Sequence, residues 1–337
     1  MILLRSTLFA VVCLLAVSPS DLAFNLSRFE FVEVHMGTQF KIVLYAKDEP
    51  LAGRAAQAAF QRIARLDAIM SDYNQASELN RLCHSPPGKP VRISRDLFRI
   101  LTISQRLAAK TDGAFDVTVG AVVRLWRRAR RTGELPDADK IKQALAVTGY
   151  TLLHLDAKTQ SAWLEREGVL LDLGGIAKGY AADAAMQVLQ QYGVQSALIA
   201  AGGDIVVSHA PPHQRGWIIE IAPLKQAEQS ENTIVITDAA ISTSGDTEQS
   251  VEINGIRYSH IVDPRTGIGL IEQIAVTVIT RKGVDADALA TAVSVLGMER
   301  GLKLIEATEK TAALIVKKTG RGVELFASKR WQSVQKK

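Results

Sequence analysis

The chain has 337 residues, 47% of them apolar and 22% charged, enough to bury a large core as two domains or one large one. Forty Lys and Arg against thirty-five Asp and Glu leave a formal charge of +5. That excess is too small and too dispersed for nucleic acid to be the main partner. With two cysteines, Cys13 and Cys83, the chain has no disulfide framework.

In chain order, Arg5 precedes a ten-residue apolar run, Leu8 to Val17, followed by Ser18-Pro19-Ser20. The run is half of the roughly 20 residues a membrane-spanning helix needs, and it fits the core of a secretory signal. Residues 1–23 are therefore expected to be a signal peptide or a membrane anchor, and 24–337 a single functional domain of one or two subdomains. The expected location is a bacterial periplasm, free or held at the inner membrane. Val11 and Val12 make Cys13 a poor lipid-attachment site, and without it Cys83 reads as a lone loop cysteine.

Phe29 to Val34 and Thr38 to Tyr45 alternate as two strands. Ala55, Ala59, Ile63, Leu66 and Met70 line one face of a helix over Leu51 to Met70. The turn cluster Ser71 to Asn74 exposes the ring of Tyr73, Ser77 to Asn80 begins a short helical turn, and Cys83 to Pro90 is a loop. A second helix spans Asp96 to Lys110, and Ala114 to Gly120 is a strand or turn. The basic run Arg124 to Arg131 reads as a solvated helix face that contacts an anionic membrane or an acidic partner. A helix over Asp137 to Thr148 and strands at Leu152 to Leu155 and Ala162 to Glu165 lead to the glycine-rich centre of the chain.

That centre, Leu170 to Asp183, reads LLDLGGIAKGYAAD. Val169 to Leu171 predicts a short strand, Gly174-Gly175 a tight turn with access to positive φ, and Ile176 to Leu189 a helix. A helix N-terminus beside Lys178 would stabilise an anion such as a phosphate. The same residues also read as an ordinary strand-to-helix turn with a solvated lysine. A buried strand at Ala197 to Ala200, the turn Gly202-Gly203-Asp204, and strands at Trp217 to Ala222 and Thr233 to Thr237 follow. Ile241 to Asp246 (ISTSGD) is a hydroxyl-rich strand end.

His260 and Asp263 are three residues apart before the turn Pro264 to Gly267, a spacing in which a carboxylate could orient a general base. Ser242 or Ser244 with His260 and an Asp would make a triad only on paper, since no nucleophile-elbow sequence is present. On the helix Val284 to Gly297, Asp285 is placed to cap the first turn. Asp287 and Thr291, four apart on one face, suit a hard cation with oxygen ligands. An acidic first turn is also ordinary complementation of the helix dipole. Thr311 to Lys317 and Gly322 to Ala327 close the chain as paired strands.

Eight short stretches in order carry a resemblance: Met36-Gly37-Thr38; Asp72-Tyr73 with Ser77-Glu78-Leu79-Asn80; Gly113-Ala114-Phe115-Asp116; LDLGGIAKGYAAD; AGGD; TSGD; SHIVDPRTG; and ADALAT. From Met36 to Gly297 the chain resembles the ApbE family, the FAD:protein FMN transferases. The resemblance implies an α+β fold of the T-fold type, with mixed sheets and packed helices, and an exported or anchored enzyme. Such enzymes split FAD with Mg²⁺ and attach FMN through its phosphate to a Thr or Ser hydroxyl of an acceptor protein, releasing AMP. The acceptor would carry an FMN-binding domain and belong to a redox complex of the membrane.

By the same resemblance the Ala177 carbonyl and the side chains of Asp287 and Thr291 hold the metal. Tyr73 is the platform for an FAD ring, Met36 and Ala114, Phe115 and Asp116 line the flavin site, and Lys178 meets the pyrophosphate. His260 contacts FAD and is the general base. Cys83-His84 departs from the pattern away from this chemistry. Two alternatives share the residues: an FAD pyrophosphatase releasing FMN and AMP, and a non-catalytic flavin-binding protein, which would need neither His260 nor the Asp287 and Thr291 pair.

Overall fold

A computed structural model describes residues 26–221, 233–245, 250–320 and 322–335. The apolar run Leu8 to Val17, Ala222 and Asp246 lie outside the described residues. Strands β1 (Ser27–His35) and β2 (Thr38–Ala46) form a hairpin, and α1 (Glu49–Met70) and α2 (Glu78–Cys83) follow. Next come β3 (Val91–Arg92), α3 (Arg95–Lys110), α4 (Gly120–Thr132) and α5 (Ala138–Leu145), then β4 (Leu153–Asp156) and β5 (Ser161–Leu164). The central helix α6 (Ala177–Gln191) leads into β6 (Ala197–Ala201), β7 (Asp204–Val207), β8 (Trp217–Glu220), β9 (Thr233–Ile236) and β10 (Ala239–Gly245). After the small strands β11 (Ser250–Ile253), β12 (Ile256–Ser259), β13 (Val262–Asp263) and β14 (Ile268–Gly269) come β15 (Ile274–Thr280) and α7 (Gly283–Glu306). The chain continues through β16 (Ala312–Thr319) and β17 (Gly322–Ala327) to α8 (Trp331–Gln335).

The organising layer is an eight-stranded sheet in the order β1-β2-β6-β7-β10-β15-β16-β17, with every neighbouring pair antiparallel. Alternation along β2 sorts its side chains between two faces. Phe40, Ile42 and Leu44 join Ala55, Ala59, Ile63 and Leu66 of α1 and Ala181, Ala182 and Ala185 of α6 in the main core. Val43 packs on the other face with Val207, Trp217, Ile241 and Trp331. Covered from both sides, β15 is buried at all seven positions. The alanine-rich faces of α1 and α6 let these helices approach closely under the sheet.

The α+β expectation holds, and most elements lie within two residues of their predicted bounds. Four differ. Val169 to Leu171 makes no strand: a single parallel bridge pairs Leu170 with Val119, and Asp172 N–H donates to the Val117 carbonyl at 2.8 Å. Its apolar residues are spent on core packing rather than on a ladder. Strand β7 is additional, because the Gly202-Gly203 turn reverses the chain into a partner for β6. The helix α5 stops at Leu145, short of Thr148. Cys83 ends α2 rather than lying in a loop, and its sulfur accepts the Leu171 N–H at 3.3 Å. Burial pushes that thiol up to about 11, so it is inert at neutral pH.

Candidate active site

Several turns meet at one end of the large sheet. Phe40 pairs with Ala201, which sets the Met36-Gly37 turn of the β1–β2 hairpin beside Gly202, and Asp204 begins β7 immediately after that second turn. Asp204 is 3% exposed; its Oδ1 accepts the Ser242 hydroxyl of β10 at 2.5 Å. Its Oδ2 lies 3.0 Å from Lys178 Nζ in an ion pair without hydrogen-bond geometry. Lys178, in the first turn of α6, is also 3.5 Å from Asp287 Oδ2. Burial works against the lysine charge, but Asp204 and Asp287 outweigh it and hold the ammonium above the ordinary lysine range. Lys178 is therefore not a solvated lysine.

The junction of α6 and α7 builds the rest. Gly179 N–H donates to Asp287 Oδ2 at 3.1 Å, and Asp287 is only 2% exposed. Burial, and then Asp204, push its carboxyl upward against the pull of Lys178. One turn further along α7, the Thr291 hydroxyl stands where a Cβ on Gly175 would reach it at 2.9 Å. Neither Gly174 nor Gly175 takes positive φ, contrary to the expected use of these residues; Gly175 serves close approach to Thr291 instead. Asp287 and Thr291 thus do face the start of α6, where Ala177 lies.

Asp285 does not cap α7. The cap comes from α6: Asp183 Oδ1 accepts the Gly283 N–H at 2.7 Å and Oδ2 the Val284 N–H at 3.0 Å. A carboxylate one hundred residues away thereby fixes the angle between the helices that carry the two halves of the site. Burial pushes Asp183 up to about 6 despite both bonds. A folded-state value above the unfolded one means that the favourable contribution is full below pH 4 and is lost as pH rises through about 6. The Tm difference between the unmodified chain and Asp183→Asn is expected to move in favour of the variant from pH 4 to pH 7, measured by thermal denaturation; a pH-independent difference would contradict the burial of this carboxyl.

Tyr73 forms an exposed wall, 76% accessible, over the guanidinium of Arg127 of α4, 4.3 Å from the ring centroid. Arg127 pairs with Asp72 and, at 2.8 Å, with Asp172, whose Oδ1 accepts the Gly174 N–H at 2.7 Å. The aromatic wall is thereby tied to the glycine turn. Asn80 Nδ2 donates to the carbonyls of Ser71, Asp72 and Asn74 at 3.3, 3.1 and 2.9 Å, clamping the Tyr73 loop. The basic run is not simply a solvated face: Arg124, Arg128 and Arg131 are exposed, whereas Arg127 is bound inward.

Ala114, Phe115 and Asp116 are buried, and Asp116 Oδ1 accepts the Thr118 N–H and hydroxyl at 2.8 and 2.7 Å. Burial raises its carboxyl. Ala114 packs with Ile261 and Val295, so the segment following the half-buried His260 touches both this stretch and α7. Both oxygens of Asp263 are engaged by Arg265, at 2.9 and 2.7 Å. The Ser242 hydroxyl is committed to Asp204, which removes the paper triad built on Ser242.

A family model described as "ApbE family" matches residues 36–315. This chain belongs to the ApbE family. An FAD:protein FMN transferase of Klebsiella pneumoniae is 33% identical over 293 residues, covering 86% of this chain and 89% of the relative. One of Treponema pallidum is 31% identical over 300 residues, covering 84% and 83%. The flavin transferase ApbE from Vibrio cholerae superposes with a TM-score of 0.82 at 28% identity over 92% of this chain and 99% of that one. An ApbE protein from Thermotoga maritima does so with a TM-score of 0.82 over 92% and 100%. The family thus joins the eight motifs, and the α+β fold agrees with its solved members.

Local sequence position singled out Asp287, Thr291 and Lys178, which lie together at the α6–α7 junction. It did not reveal Asp204, Asp172, Arg127 or Asp183, whose roles depend on partners far away in the chain.

Proposed function

We propose that the chain transfers FMN from FAD to a Thr or Ser hydroxyl of an acceptor protein in a Mg²⁺-dependent reaction that releases AMP. The α6–α7 junction is the observation that carries this reading. Two buried carboxylates, Asp204 and Asp287, face one ammonium, and Asp204 Oδ2 has no hydrogen bond. The excess negative charge and an oxygen-only donor set fit a hard divalent cation. Ala177 through its carbonyl, Asp287 and Thr291 would hold it. Bound there, Mg²⁺ would neutralise charge on the FAD pyrophosphate.

Lys178 adds a fixed positive charge toward the same pyrophosphate, and Tyr73 offers an open π-face to a ring of FAD. Met36 and the Ala114–Asp116 stretch bound the flavin end; with side chains of the latter buried, its backbone is what meets the ligand. His260 takes the proton of the acceptor hydroxyl. The oxygen forms a bond to the FMN phosphorus as the bond to the bridging pyrophosphate oxygen breaks, and that oxygen departs with AMP. His260→Ala is expected to keep FAD affinity while transfer falls roughly 10²- to 10⁴-fold. An equal loss of binding, by flavin fluorescence titration, would assign His260 a structural role instead.

The acceptor is proposed to carry an FMN-binding domain from a redox complex of the membrane, met after export to the periplasm. Residues 1–23 are proposed to direct that export. Among the described residues no helix is long and apolar enough to cross a membrane. The deciding experiment incubates the chain with FAD, Mg²⁺ and such an acceptor. A fluorescent acceptor band that survives denaturation and vanishes with EDTA supports transfer. Release of AMP and free FMN without a band across several acceptors would favour the pyrophosphatase.

A further inference from the structure

The β1–β2 hairpin turns through Met36 and Gly37, with His35 and Thr38 paired across it. Both turn residues are left-handed, Met36 at φ 50° and Gly37 at φ 73°. Two-residue hairpin turns of this kind favour Asn-Gly, because Asn tolerates left-handed backbone and a long side chain does not. Gly37 follows that preference and Met36 violates it. The violation is held from outside the hairpin: Met36 N–H donates to Asp67 Oδ2 at 2.9 Å, from the last turn of α1. In an isolated hairpin this N–H would face solvent, so the contact is an added restraint rather than part of the turn's own bonding. The half-buried Met36 side chain also packs against the main core.

A strained turn that is pinned by a carboxylate thirty-one residues away keeps a methionine where an asparagine would be more stable. From this we infer that Asp67 is a positioning residue for FAD: it fixes the Met36 turn, and so the flavin end of the site, in its binding conformation. The inference rests on the reading of Met36 as part of the flavin site. Asp67 itself touches no reacting atom. Its contribution is pre-organisation, which lowers the ordering cost of binding. The neighbouring turn strengthens the case, since a Cβ on Gly202 would lie 3.5 Å from Thr38 Oγ1, and Asp204 follows two residues later. Displacement of the Met36 turn would therefore disturb the wall next to the Lys178–Asp204 pair.

The test is a double-mutant cycle on the full chain, read by FAD fluorescence titration in the presence of Mg²⁺. Asp67→Ala is expected to raise the FAD Kd by about 10-fold, the scale of one hydrogen bond to a charged acceptor, with Asp67→Asn intermediate. In the steady state, KM for FAD should rise more than kcat falls. In a Met36→Asn background the turn no longer needs the pin, so adding Asp67→Ala should change Kd by less than about 2-fold. An equal effect of Asp67→Ala in both backgrounds would mean that it acts through α1, and would overturn the inference. So would an unchanged Kd in a chain that otherwise binds FAD and transfers FMN. Failure of the unmodified chain to bind FAD would overturn the functional reading as well, a result distinct from either.

Discussion

Asp287→Asn is expected to lower FMN transfer by roughly 10²- to 10³-fold at saturating FAD and Mg²⁺, while the Tm of the ligand-free chain holds or rises. The two directions have one cause. Asp287 is a buried carboxylate beside a second one, Asp204, and its carboxyl is pushed up by that burial and that neighbour. Removing its charge relieves like-charge repulsion, while the amide oxygen of Asn can still accept the Gly179 N–H. Stability is thus being spent to keep negative charge where a cation would be held. Thermal denaturation with and without Mg²⁺ separates the effects: the Tm gain on adding Mg²⁺ should disappear in the variant. Full transfer with an intact Mg²⁺ response would remove Asp287 from the metal-binding role.

What the sequence made legible was local. The 3.6-residue spacing of Ala55, Ala59, Ile63, Leu66 and Met70 places all five on the buried face of α1, and alternation from Thr38 places Phe40, Ile42 and Leu44 inward. The four-residue spacing of Asp287 and Thr291 likewise put both toward the start of α6. Misreadings arose where a residue's partner lies elsewhere in the chain. Asp285 has the sequence position of a cap, yet Asp183 reaches across from another helix and takes the N–H groups first. Arg127 looks like one more base in a run of arginines; its difference lies in Asp72 and Asp172, 55 and 45 residues away. Asp263, by contrast, has a local partner: Arg265, two residues on, donates to both its oxygens. Gly174-Gly175 signalled unusual dihedrals, whereas what Gly175 provides is room for Thr291. Glycine as backbone freedom and glycine as empty space look alike in one dimension.

Gly179→Ala is expected to destabilise the chain by about 3 kcal/mol or more and to abolish transfer even at temperatures where the variant remains folded. A Cβ on Gly179 would lie 2.1 Å from the Gly283 carbonyl oxygen and 2.9 Å from Asp287 Cβ. Optimal carbon contacts are about 3.5–4.0 Å, and the first obstacle is backbone, which cannot rotate away. The two helices would have to part by about 1 Å or more. The residues proposed to hold the metal and meet the pyrophosphate span that contact: Ala177 and Lys178 stand on α6, Asp287 and Thr291 on α7, and the Asp183 cap and the Gly179–Asp287 bond tie one to the other. A misplacement of about 1 Å between reacting groups costs on the order of 10²-fold in rate, so activity should be lost beyond what unfolding explains. Gly53→Ala is the control, a glycine inside α1 with no atom within 4 Å of its added Cβ. There the same substitution should be neutral or stabilise by about 0.5–1 kcal/mol through helix propensity. If Gly179→Ala matched that control in Tm and retained full transfer, the tight α6–α7 crossing would not be what aligns the site.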